Sequence, residues 1–168
     1  MRKEYVKYYA VPFFFFMMLL DGQATRLLEI WTKDVYMAKF HFLILALMCG
    51  CRVLSKRFML ITALILGILY DFYYIGVLGI YAVALPILVW LMFTMAKTLY
   101  RNLFTMFFGL IIFVTGYELA TLGIQLLFKL TSVNGMFFVT RFLGPTLLIN
   151  MILFVLCIYP FKKLFAVE

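Results

Sequence analysis

The chain has 168 residues, of which 67% are hydrophobic, 20% aromatic and only 13% charged, with a net charge of +8. A soluble domain is about 45–50% apolar, and one of this length leaves roughly 30% of its unfolded surface in water. The composition therefore excludes an ordinary cytosolic domain, a disordered chain and a secreted disulfide scaffold, and describes an integral membrane protein.

A hydrocarbon core about 30 Å thick needs about 20 helical residues. Six apolar runs approach that length: 6–24, 36–54, 58–73, 77–96, 103–127 and 141–160. They are continuous and lack period-2 alternation, so they read as helices rather than barrel strands. The expected fold is an all-α bundle of six transmembrane helices forming one transmembrane domain over residues 1–168.

The first run follows Arg2, Lys3 and Lys7 and resembles a signal peptide, but Phe13 to Phe16 make it unusually bulky, and it reads as an uncleaved span. Beyond it, in Ala24–Asp34, Leu27, Leu28 and Trp31 group on one helical side, and Arg26, Glu29 and Lys33 on the other. This predicts a short interfacial helix, with a loop anchored by Trp31 as the alternative. The second run carries Lys39 and His41 near one end and Arg52 near the other, within snorkelling reach of the interfaces. Cys49, Cys51 and Cys157 lie in apolar runs. The Cys49–Cys51 spacing is too tight for a CxxC site and no His follows at ligand spacing, so they read as inert buried thiols and no metal or other cofactor is expected. The third run is short and fits a tilted or broken helix.

The fifth run places Gly109, Gly116 and Gly123 at seven-residue intervals, with Ala120 beside them. Seven residues is nearly two turns, so these form one smooth stripe that another helix can approach. Packing inside the bundle is the favoured use, and a groove for a partner's membrane helix the alternative. Pro12, Pro86 and Pro145 fall within the first, fourth and sixth runs, and Gly144–Pro145 reads as the strongest break.

Basic residues set orientation. With a cytoplasmic N-terminus, ten of the 15 Lys and Arg fall in cytoplasmic segments (Arg2, Lys3, Lys7, Arg52, Lys56, Arg57, Lys97, Arg101, Lys162, Lys163) and five outside (Arg26, Lys33, Lys39, Lys129, Arg141). Six spans with both termini cytoplasmic follow. These small basic groups between apolar runs suit anionic lipid and not nucleic acid.

Asp21, Asp71 and Glu118 fall in or beside apolar runs, where a charge at mid-membrane costs at least about 2.5–3.5 kcal/mol. Helical rise puts Glu118 about 25 Å beyond Arg101, and Asp21 and Asp71 each about 21 Å beyond Lys7 and Arg57, all toward the outer leaflet. Asp71 and Glu118, with Arg141 and Asn150 entering from the outer side, are expected to form an outward polar cluster in which Arg141 or His41 neutralises some of the acids. Asp21 is expected to reach the outer interface separately. No Ser–His–Asp arrangement, shared carboxylate pair or phosphate loop can be defended, which places an enzyme last among the readings.

Between the third and fourth runs the chain reads Gly67-Ile-Leu-Tyr-Asp71-Phe-Tyr-Tyr-Ile-Gly76-Val-Leu-Gly79. Gly67 and Asp71 share a helical face, Asp71 can cap the following helix, and Gly76 and Gly79 permit a tight reversal. This apolar GxxxD followed by Gly and Leu-Gly resembles the rod shape-determining protein MreD family, as do the length, six-span layout and basic tail. The resemblance implies a non-enzymatic protein of the bacterial inner (cytoplasmic) membrane. It implies membership of the elongation machinery that supports peptidoglycan synthesis and cell shape, alongside an MreC-like bitopic membrane protein, a RodA-type glycosyltransferase, a class B penicillin-binding protein and, where present, the MreB cytoskeleton. The family is similar in fold to the S-components of ECF-type vitamin transporters, which supply the alternative function. Those subunits favour small residues at AxxxA spacing in the first span, where this chain has Ala10 followed by Phe13 to Phe16.

Overall fold

The computed structural model describes residues 2–132 and 134–165; the side chains of Arg2 and Lys3, counted above, lie outside that description. Helix α1 spans Arg2–Thr32, α2 Phe42–Val53, α3 Lys56–Tyr70, α4 Ile80–Thr94, α5 Ala96–Leu99, α6 Leu103–Leu127, α7 Gly135–Phe137 and α8 Gly144–Leu164. Two π-helical stretches extend these, Asp71–Ile75 at the end of α3 and Phe138–Leu143 joining α7 to α8. Among the described residues there is no strand. Four stretches are long and apolar enough to cross a membrane: Tyr5–Thr32, Lys56–Tyr74, Leu103–Leu127 and Gly135–Leu164. Helices α2 and α4 are apolar but shorter.

The predicted interfacial helix is not a separate element. Helix α1 continues through it, because Gly22 alone does not break a helix flanked by good helix formers. At this point the missing Cβ is used for packing: one built on Gly22 would lie 2.1 Å from the Tyr74 hydroxyl. The second run is also not one helix. Only Phe42–Val53 is helical, about 18 Å long, and the chain before it is extended. Gly144–Pro145 does not break the last helix either. The preceding π-helical turn absorbs the proline, and the Arg141 carbonyl, which a regular helix would give to residue 145, accepts from Met37 N–H at 3.0 Å.

The buried apolar residues form one cluster with α2 at its centre. Nine of the 12 residues of α2 are buried, and it packs on α1, α3, α4, α6 and α8. The four consecutive phenylalanines point to all sides of α1, since successive residues turn by about 100°. Phe14 is fully buried and stacks on Phe165, Phe13 packs edge-on against Phe161 and Phe165, and Phe16 is exposed on the outer wall. Helix α6 coincides with the fifth apolar run, its start fixed by a reciprocal cap in which Asn102 and Thr105 satisfy each other's backbone.

Candidate functional site: polar groups at one end of the bundle

Helices α3 and α4 form a hairpin whose closeness depends on Gly67. A Cβ there would lie 2.4 Å from the Tyr81 carbonyl oxygen and 2.7 Å from the Ala82 Cα, both backbone atoms that no rotamer change relieves. One turn later the fully buried Asp71 carboxylate accepts from three backbone N–H groups that open α4: Gly79 at 2.8 Å, Tyr81 at 2.9 Å and Ala82 at 3.1 Å. Gly76 and Gly79 turn the chain at φ of 72° and 112°.

The extended stretch before α2 would leave backbone donors unsatisfied in an apolar interior. Side chains from two distant helices take them. Thr146 of α8 accepts from Lys39 N–H, Thr25 of α1 from Phe40, Asn150 of α8 from His41, and Asp21 of α1 from Phe42 and Leu43. The Asn150 amide also donates to the carbonyls of Lys39 and Thr146, at 2.8 and 2.7 Å. Asp21 therefore does not reach the interface: it is buried and caps α2.

Glu118 is buried on α6 beside the same stretch. His41 Nε2 donates to its Oε1 at 2.7 Å, and the Lys39 ammonium lies 3.6 Å from its Oε2 and 3.4 Å from the Tyr81 hydroxyl. Of the expected cluster, Glu118 and Asn150 thus meet through the Lys39–His41 stretch. Asp71 neighbours them through Tyr81, whose N–H it holds, but serves backbone rather than the ion pair. Arg141 does not neutralise an acid: it is exposed, donates to the Val35 carbonyl at 3.3 Å and lies over the Phe137 ring. Lys39 takes that place. Its presence inside an apolar run was the available signal, because a cation there needs a partner.

Sequence reading also missed a cavity of about 770 Å³, which falls in the size range of small-molecule sites. Arg26, Lys39, Tyr70, Tyr73, Tyr74 and Tyr81 are among its walls, with Gln125 of α6. One face of the α1 extension (Gly22, Arg26, Glu29) lines it, while Leu27, Ile30 and Trp31 on the other face are exposed. The amphipathic pattern that suggested an interfacial helix is the pattern of a cavity wall. A second cavity of about 180 Å³, walled by Phe137, Phe138, Phe142 and Leu122, shares Lys39 and Gln125 with the first. Among the described residues, no group of three or more His, Cys, Asp or Glu could hold a metal ion.

The glycine stripe is not packed internally along its length. Gly109 is buried under Leu99, but Cβ atoms built on Gly116 and Gly123 would meet nothing within 4 Å, and Ala120 is exposed. The α6 face from Gly116 to Gly123 is smooth and open.

The family described as rod shape-determining protein MreD matches residues 2–167. The chain is 24% identical over 153 residues to the cell shape-determining protein MreD of Streptococcus pneumoniae (strain ATCC BAA-255 / R6), covering 91% of both chains. It is 30% identical over 136 residues to the rod shape-determining protein MreD of Bacillus subtilis (strain 168), covering 80% of this chain and 77% of that one. No solved structure matches. With a GxxxD hairpin built from Gly67 and Asp71, four helices able to span a bilayer and a family match along nearly its whole length, the chain belongs to the MreD family of rod shape-determining membrane proteins.

Proposed function

We propose that this protein is a non-enzymatic scaffold of the bacterial elongation machinery. It crosses the inner membrane six times as one transmembrane domain with both termini cytoplasmic. There it holds the membrane helix of an MreC-type bitopic protein and supports peptidoglycan synthesis by a RodA-type glycosyltransferase and a class B penicillin-binding protein. The observation that carries this reading is the family match over residues 2–167. The open Gly116–Ala120–Gly123 face supports the docking step: a second helix can approach there closely enough to gain dispersion contacts that lipid tails do not supply.

The test is gentle extraction of the protein from native membranes and identification of what co-purifies. An MreC-type protein and cell-wall synthases are expected; an ATPase with its coupling subunit would instead support the vitamin-transporter reading. Gly116→Leu is expected to leave the thermal unfolding midpoint unchanged, because the site is open, and to remove the MreC-type partner. A variant that keeps the partner would move the docking face elsewhere.

A further inference from the structure

We propose that the two cavities sharing Lys39 and Gln125 form one binding site for a phosphate-bearing lipid. Its headgroup would lie in the tyrosine-lined chamber and its tail would leave past Phe137, Phe138 and Phe142. This assignment stands apart from the scaffold reading.

Three observations carry it. The first is charge. Arg26 and Lys39 line the larger cavity together with one carboxylate, Glu29, and the ion pairs among the described residues, Lys39–Glu118 and His41–Glu118, use neither Arg26 nor Glu29. Glu118 is held at 2.7 Å by His41, whereas the Lys39 ammonium has only long contacts, 3.6 Å to Glu118 and 3.4 Å to Tyr81. An ammonium has three donors, so Lys39 can still donate to an incoming anion. The second is the wall chemistry. Four tyrosines offer ring faces and hydroxyls to a polar headgroup, and Tyr73 and Tyr74 are exposed at the rim, so the chamber is open to entry. The third is the arrangement of polar and apolar space. The smaller cavity is walled mostly by Met37, Leu122 and three phenylalanines, with Glu118 and Thr121 also in its lining, and it shares Lys39, whose ammonium lies 4.8 Å from the Phe142 ring centre, with the larger one. A soluble anion would fill only the first space. An amphiphile whose phosphate sits at Lys39 fills both.

The test uses the full chain in detergent micelles, with the thermal unfolding midpoint read against added farnesyl monophosphate, farnesol or inorganic phosphate. Farnesyl monophosphate is expected to raise the midpoint saturably, and the other two to leave it unchanged. A charge-assisted hydrogen bond at the rim is worth about tenfold in affinity, so Arg26→Gln is expected to weaken the response about tenfold. Lys39→Gln is expected to abolish it. Because Lys39 is ion-paired and its loss can unfold the chain, Leu122→Trp serves as the second variant: it fills the tail space and is expected to abolish the response while the protein remains folded. An equal rise with inorganic phosphate would make the ligand a soluble anion and overturn the lipid assignment. An equal rise with farnesol would overturn the role of the phosphate. No rise with farnesyl monophosphate, or an unchanged response in Leu122→Trp, would overturn the site.

Discussion

A carboxyl group buried in an apolar bundle needs hydrogen-bond partners, and Asp71 has three backbone N–H groups within 3.1 Å. Removing it leaves buried donors unpaired at about 1–3 kcal/mol each. Asp71→Ala is therefore expected to lower the thermal unfolding midpoint in detergent strongly. Asp71→Asn keeps one acceptor oxygen but turns an amide toward a donor, so it should fall between Asp71→Ala and wild type. Gly67→Ala is expected to destabilise by about 1–3 kcal/mol or more, since overpacking against backbone cannot relax through side chains. Equal midpoints for Asp71→Asn and wild type would show that the charge contributes nothing. Both residues were legible in the sequence because their partners are local: Asp71 serves residues 79 to 82, and Gly67 meets residues 81 and 82. Asp21 was misread for the opposite reason, as its partners lie 21 and 22 residues away.

At the scale of elements, α6 was legible from end to end because its apolar run is uninterrupted and long enough to cross a bilayer. The second run was not, because hydropathy is the same for an extended segment as for a helix. What delays the start of α2 to Phe42 is a set of acceptors on α1 and α8, and a single sequence does not show who supplies them. The weight these acceptors carry is measurable. Thr146→Val removes one acceptor, whereas Asn150→Leu removes an acceptor and two donated hydrogen bonds. Unfolding midpoints are expected in the order wild type, Thr146→Val, Asn150→Leu, with each orphaned buried group worth about 1–3 kcal/mol. Reversal of the two variants would show that Asn150 is not what holds the extended stretch in place.

For the molecule as a whole, the end that carries the cavity also carries the α3–α4 hairpin, and the opposite end carries Arg52, Lys56, Lys97 and Arg101. By the positive-inside rule the basic end is expected to face the cytoplasm under the proposed six-span arrangement. With Cys49, Cys51 and Cys157 replaced by alanine, Asn134→Cys is expected to react with a membrane-impermeant maleimide in wall-stripped cells, and Lys97→Cys only after the cells are broken. Labelling of both under the same condition would refute the six-span arrangement. The same cavity shows the limit of a sequence reading at this scale: its walls come from residues 22 to 29, 39, 70 to 81 and 125, and only the folded topology gathers them.

The extended lead-in to α2 has a bearing on biogenesis. Its N–H groups at residues 39 and 41 are satisfied by Thr146 and Asn150, more than a hundred positions downstream. While the ribosome is still making the middle of the chain, Thr25 and Asp21 of α1 can already serve residues 40, 42 and 43, but the N–H groups of 39 and 41 lack these acceptors, and a helix of about 18 Å is too short to settle in lipid alone. The second apolar segment must therefore wait, loosely held or shielded, until translation delivers the last helix, and a chain stopped before α8 would lack the acceptors that complete it.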